Sequence, residues 1–461
     1  MRIALVLSAV LALAGLSVSV PARAQGAASA GPKVQPMLKT IAAEVDPKAL
    51  EATIRSLVGF GTRHTLSDTR SETRGIGAAR RWTAARFAAL SSACGGCITV
   101  QTPSKVFTGK RAPDGVEIVD VLGIQPGTTD RDRVVIIAGH LDSRVNDVMD
   151  AVSDAPGAND DASGVAAVLE AARVLSRRRF PATIVYAVLS GEEQGLYGGQ
   201  LLAQTAEAEG WKVEADLNND IVGNVHGIGG TVDRAHVRVF SEGTKAVETP
   251  EQAGVRRYNG GEVDSPSRNL ARFMDGLADR YLRGLDVTMV YRTDRFGRGG
   301  DQVPMLEAGY PAVRVTEAAE NYDRQHQTVR VENGRAYGDV IEGVDFPYLA
   351  QVTRLNAVTL AALASAPAPP TGVRIEGAVS ADTRVSWAPV DGAAGYRVWW
   401  RGTTEPTWSH ARAVGAETST VLTNVVIDDW FFGVSSIGAD GWESPVVFPG
   451  AAGSFERGAA K

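Results

Sequence analysis

The chain has 461 residues, 44% hydrophobic and 22% charged, with a formal net charge of -6. That length predicts one large domain plus one small one, and the mild negative balance lacks the basic excess that attracts nucleic acid, so that partner class is excluded. The first residues run from Arg2 through an apolar stretch at 3–20 to Ala22, Arg23 and Ala24. This is the pattern of a signal peptide spanning 1–24 with a small-x-small cleavage site, so the mature chain is expected to start near Gln25 and to be exported, periplasmic or extracellular. An uncleaved anchor suits that flank less well, and no later apolar run is long enough to span, so the mature form is expected to have no membrane attachment.

After a short polar leader at 25–34, helical patterning covers 37–58 and 76–90. The only two cysteines, Cys94 and Cys97, follow in SSACGGCITV. In an oxidising compartment such a pair closes a small disulfide loop, with glycine supplying the turn. A redox-active pair or half of a zinc knuckle is the alternative, although no second pair completes a four-cysteine site. Apolar, β-branched runs at 116–124, 133–138, 182–189, 236–240, 287–291 and 312–316 read as strands. Amphipathic helices lie between them: Val165, Val168, Leu169 and Ala172 share one helical face, and further helices are expected at 267–285 and 340–363. The alternation predicts an α/β fold over residues 25–364, a three-layer αβα sandwich around a mostly parallel, mixed central sheet. Its site residues should sit on loops at the C-terminal ends of the strands.

The composition breaks at SAPAPPTG, residues 365–372. Proline ends the preceding helix, and residues 365–371 read as a stiff linker. Beyond it, the short alternating runs VRIEG, TRVSWAPV, GYRVWWRG, TSTVLTNV and WFFGVSSIG predict a small all-β sandwich over 372–461. With Trp387 in VSWAPV and Tyr396 in GYRVWW, this tail resembles a fibronectin type III domain. The resemblance implies either a spacer or a module that docks a polymer or another protein.

Five separated segments offer metal ligands after apparent strands. VVIIAGHLDS carries His140 and Asp142, two apart in extended chain, so the Asp142 carboxylate is placed to hold and orient the imidazole. PGANDDASG carries Asp160 and Asp161 at a helix start, where capping is the plain reading and a carboxylate bridging two metals the other. VYAVLSGEEQG sets Glu192 beside Glu193 after a buried strand, which is costly unless cations or shared protons compensate. LNNDIVGN adds Asp220, and ENYDRQHQ adds Tyr322 and His326. Taken singly, each is an ordinary turn or surface residue. Together, Asp160, Asp220 and Glu193 with a bridging hydroxide balance two divalent cations while His140 and His326 stay neutral. The mixed nitrogen and oxygen set suits zinc, with cobalt or manganese as alternatives.

The ordered set HLDS, GANDDASG, SGEEQG, NNDIVG and QHQ resembles the exported bacterial zinc aminopeptidases, relatives of leucyl aminopeptidase, plasma glutamate carboxypeptidase and glutamate carboxypeptidase II. The resemblance implies two zinc ions, one held by His140 and Asp220, the other by Glu193 and His326, with Asp160 as the bridge. It also implies Glu192 as general base for a metal-bridging hydroxide. The substrates implied are peptides with a free N-terminus. Tyrosine often precedes the last histidine in such relatives as the oxyanion donor; here that neighbour is Gln325, and Tyr322 is the substitute. The rival readings are a dipeptidase or carboxypeptidase of the same family, a one-zinc glutaminyl cyclase-like acyltransferase, and an inactive binding or adhesion protein acting through its C-terminal module.

Overall fold

The computed structural model describes residues 32–457, so the expected signal peptide lies outside the described residues. Eight strands form one mixed sheet: β1 (Thr99–Gln101), β2 (Val121–Gln125), β3 (Asp130–His140), β4 (Ala182–Leu189), β5 (Lys212–Asn219), β6 (His236–Phe240), β7 (Asp286–Val290) and β8 (Ala312–Glu317). Their spatial order is β1-β2-β4-β3-β5-β8-β6-β7. The four central strands β4, β3, β5 and β8 run parallel. Antiparallel pairings join β2 to β4 and β6 to β8.

Period-two alternation in β3 explains the layers. Val135 and Ile137 face a core shared with helices Ala162–Leu175 and Phe346–Ser365, whereas Val134, Ile136 and Ala138 face the opposite core with helices Tyr197–Ala208 and Gln302–Glu307. Burial on both faces is why these strands read as continuous apolar runs. Each such Val or Ile side chain contributes about 1.5–3 kcal/mol relative to exposure. The result is the three-layer arrangement expected.

Local departures have local causes. The helical stretch at 37–58 is two helices, Pro36–Glu44 and Pro47–Val58, because Pro47 starts a new one and the Asp46 carboxylate caps Lys48 N–H. The run at 116–124 breaks at Asp120, which separates an outlying hairpin (Ser104–Gly109 with Ala112–Val119) from β2. The expected helix at 340–363 starts only at Phe346, where Asp345 caps it. Cys94 and Cys97 are disulfide-bonded at the end of helix Gly75–Ala93.

Beyond Ser365, two three-stranded antiparallel sheets face each other. Trp387, Tyr396, Val398, Trp400, Phe432 and Val434 are buried between them. The connector is packed and not free: Ala366 O accepts from Arg133 Nη2 at 2.6 Å, and Ala368 O accepts from Ser436 Oγ at 2.7 Å. The sandwich lies against helix Pro266–Tyr281, where the Trp408 indole N–H donates to Asn269 Oδ1 at 3.1 Å.

Candidate metal centre and active site

Each parallel strand delivers a site residue from its C-terminal end. β3 ends in His140, β4 is followed by Glu192 and Glu193, β5 by Asp220, and the chain after β8 returns with His326. Asp160 comes from the turn before helix Ala162–Leu175. A Cβ at Gly139 would come within 2.7 Å of the Gly164 carbonyl carbon, so glycine there lets that helix begin close against the strand end.

The five expected ligands converge. His140 Nε2 lies 3.2 Å from Asp160 Oδ1 and 3.9 Å from Asp220 Oδ1. His326 Nε2 lies 3.0 Å from both Asp160 Oδ2 and Glu193 Oε1. One oxygen of Asp160 therefore faces each histidine, and two donor groups meet at this carboxylate: His140, Asp220 and Glu192 on one side, Glu193 and His326 on the other. Asp161 divides its work from Asp160. Its carboxylate accepts from Gly164 N–H at 2.9 Å, capping the helix, and from His140 N–H at 3.0 Å.

Asp142 does more than face the imidazole. His140 Nδ1 sits 3.0 Å from the Asp142 carbonyl oxygen and 3.5 Å from its carboxylate. That carboxylate chiefly accepts from Gly191 N–H at 2.9 Å, Glu193 N–H at 3.1 Å and Thr65 Oγ1 at 2.8 Å, so it holds the turn that presents Glu192 and Glu193.

Tyr322 is not brought into the site. The residue is 57% exposed, and the cavity of about 490 Å³ lined by Asp160, Glu193, Asp220 and His326 does not include it. A turn over 321–325, closed by Asn321 O accepting from Gln325 N–H at 3.1 Å, carries Tyr322 outward while Gln325 and His326 face in. Gln325 Nε2 reaches Asp160 Oδ2 at 3.4 Å.

What the sequence reading missed is a set of arginines. Fully buried Arg314 meets Asp220 Oδ2 through Nη1 at 2.5 Å. Arg144 Nε lies 3.1 Å from Glu193 Oε2, and its Nη2 lies 2.7 Å from His326 Nδ1. Arg63, also fully buried, donates to the carbonyls of Leu141 at 2.7 Å, Pro156 at 2.6 Å and Gly157 at 2.9 Å, tying two ligand loops together. Asp339 accepts from Asn159 and Asp160 N–H at 2.9 and 2.7 Å, fixing the bridging turn from the far side.

The electrostatics are those of a cation cage. Burial opposes charge on His140, yet Asp142 and Asp160 hold it well above the ordinary imidazole range. Burial likewise opposes charge on His326, yet Glu193 and Asp160 push it up to about 10. Glu192 is raised well above the carboxylate range, first by burial and then by Glu193, Asp220 and Asp301 around it. Protons held at such nitrogens occupy the place a divalent ion takes when it displaces them. The residues fit a metal: His140 Nε2 and Glu193 Oε1 are buried, face ligand groups at 3.2 and 3.0 Å and make no well-directed hydrogen bond, and the imidazole and carboxylate set suits zinc. One contact must give. A cation at His326 Nε2 puts the ring hydrogen on Nδ1, so Arg144 cannot keep donating there.

A second cavity of about 390 Å³, lined by Trp399, Trp408 and Trp442 at the junction with the C-terminal sandwich, contains none of these ligands.

Known proteins share this organisation. The family model of peptidase family M28 matches residues 120–344. A probable zinc metalloprotease of the fungus Leptosphaeria maculans is 44% identical over 422 residues, spanning 91% of this chain and 98% of the relative. Another from Pyricularia oryzae is 43% identical, spanning 89% of this chain and 84% of the relative. Among solved structures, the LapA aminopeptidase of Legionella pneumophila superposes with a TM-score of 0.52 at 17% identity, over 74% of this chain and 79% of that one, a likeness of fold. The chain is a zinc metallopeptidase and belongs to peptidase family M28.

Proposed function

We propose that the protein is an exported aminopeptidase that holds two zinc ions, one on His140 and Asp220, the other on Glu193 and His326, with Asp160 shared. The carrying observation is the position of Asp160, whose two oxygens each face a different histidine, at 3.2 and 3.0 Å. Zinc bound there supplies Lewis acidity, polarising a carbonyl and making a nearby water more acidic.

The chain's own groups do the rest. Glu192 stands on the cavity wall, and in this reading its carboxylate takes a proton from the attacking water and returns it to the leaving amine. Asp142 keeps Glu192 and Glu193 in place through the backbone, as its bonds at 191–193 require. Gln325 lies on the lining in place of the outward Tyr322, and in this reading its side-chain N–H is a donor to a developing oxyanion. Substrates are peptides with a free N-terminus, and the C-terminal sandwich is a type III-like module.

The test is zinc content per chain together with hydrolysis of leucine p-nitroanilide. A zinc-loaded protein that cleaves the anilide but not its N-acetyl derivative, and loses the activity to phenanthroline, supports the reading. Hydrolysis that persists after complete zinc removal overturns it, and cleavage of N-blocked peptides from the C-terminus replaces it with a carboxypeptidase.

A further inference from the structure

Two loops that line the cavity carry basic side chains. The turn between strands Ser104–Gly109 and Ala112–Val119 contributes Lys110 and Arg111, and the loop after β7 contributes Arg295 and Arg298. With Arg144, five basic side chains line a cavity whose acids are Asp160, Glu192, Glu193 and Asp220. Those acids face the metal positions, and two of the bases already pair with them, Arg144 with Glu193 at 3.1 Å and Arg295 with Asp220 at 3.8 Å. Lys110, Arg111 and Arg298 are in no ion pair with these four acids.

Arg295 is turned inward, with Nε 3.1 Å from Asp294 Oδ1 and Nη1 3.6 Å from Glu320 Oε2. Arg298 touches the same Glu320 at 3.0 Å, yet its side chain remains 33% exposed. Arg111 uses one Nη to reach the Glu193 carbonyl at 2.6 Å and lies on the cavity lining. Lys110 has no hydrogen bond or ion pair among the described residues. Arg144 loses His326 Nδ1 as an acceptor once that imidazole binds a cation through Nε2. Cations gathered on low-dielectric walls focus their field into the cleft, where it draws anionic ligands.

We propose that Lys110, Arg111 and Arg298 form a recognition site for a carboxylate of the peptide substrate. The enzyme then prefers a peptide bearing that carboxylate to the same peptide with the group neutralised. This rests on the peptidase reading above and adds the substrate's charge to it. The carboxylate has two sources, the C-terminus of a short peptide and an acidic side chain, and both present the same planar pair of oxygens to guanidinium and ammonium donors.

Two pairs of peptides separate the sources on the full-length, zinc-loaded protein. Leu-Gly against Leu-Gly-amide isolates the C-terminal carboxylate, and Leu-Glu-amide against Leu-Gln-amide isolates the side chain. In at least one pair, kcat/KM is expected to favour the acid by about 1.5-fold to fivefold at low ionic strength, the range for solvent-exposed ion pairs, and to lose that margin in high salt. The double variant Lys110→Gln/Arg298→Gln should bring the ratio to about one, mainly through KM, since both residues sit at the solvent-facing mouth. A second readout does not need turnover: titration calorimetry of the same peptides on the Glu192→Gln protein should show the same order of affinities, again abolished by the double variant. Neutral peptides cleaved and bound as well as the acids in both pairs, or a preference that survives the double variant, overturns the proposal. If no peptide and no anilide is cleaved, the proposed function falls instead, while the binding order still decides this one.

Discussion

The Asp161 carboxylate accepts the backbone N–H of His140 at 3.0 Å across 21 residues of chain. Its other oxygen accepts from Gly164 N–H at 2.9 Å and from Ile221 N–H at 3.2 Å, beside Asp220. One buried side chain thus sets the relative positions of three ligand segments and caps the helix between them. Asp161→Ala removes a cap and leaves two further buried N–H groups without acceptors. It is expected to cost about 2–4 kcal/mol, read by denaturant unfolding of the zinc-loaded protein, with a lower zinc affinity measured alongside. Unchanged stability would show that water replaces the carboxylate.

The two roles assigned within the carboxylate cluster separate in a pair of measurements. Glu192→Gln keeps shape and a polar tip but cannot carry the proton, so anilide turnover should fall by about 10²–10⁴-fold with zinc content intact. His140→Ala and Asp160→Ala remove groups that face each other at 3.2 Å in the centre of the cluster, so they should lower zinc content itself. Loss of zinc from the Glu192→Gln protein would make this side chain a ligand.

How much of this was legible without coordinates depended on distance along the chain. HLDS, GANDDASG and GEEQG each place a donor directly after an apolar strand or at a helix start, and the parallel sheet then brings those ends together. The doubly buried strands showed as continuous apolar runs. The arginines did not show. Arg63 reaches Leu141 and Gly157 across 78 and 94 positions, and a lone arginine in a GTRHT turn reads as an exposed cation until tertiary closure buries it. Tyr322 is near His326 in sequence, but the intervening turn leaves Tyr322 exposed while His326 lines the cavity. The hairpin at 104–119 was hidden because Asp120, whose Oδ1 accepts from Ser190 N–H at 3.0 Å, interrupts what looked like one strand.

A pH-dependent term in stability comes from Glu242, away from the metal cluster. Burial pushes its carboxyl up to about 8, with the Ala246 N–H, Lys245 and Arg268 only partly opposing. The folded state therefore holds a proton that the unfolded chain releases near 4.5. Its contribution is fully present below that value and is lost as pH rises through about 8. Glu242→Gln, permanently neutral, should be more stable than the parent at pH values above about 8 and show no such advantage near pH 4, read as the difference between paired thermal or denaturant melts. A constant difference across that range would mean that the carboxyl titrates alike in both states.

Arg401 of the sandwich donates through Nη2 to both oxygens of Asp264 at 2.7 and 2.8 Å, and Arg272 Nη1 reaches the same carboxylate at 2.8 Å. Arg401 is 1% exposed and Asp264 fully buried. A surface spacer has no use for a desolvated charge network, whereas two units that unfold together do, since separating them strands these charges. Arg401→Met removes one partner and leaves Asp264 facing Arg272 alone, at an expected cost of about 3–5 kcal/mol. Calorimetry should show one cooperative transition for the parent and two for the variant, the lower one belonging to the sandwich. Deleting the residues after Ser365 should likewise lower the melting temperature of the peptidase domain, because it uncovers Asp264 and removes Ala366 O, the acceptor of Arg133. A truncated chain that melts at the parent's temperature would show that the sandwich is carried along without supporting the fold.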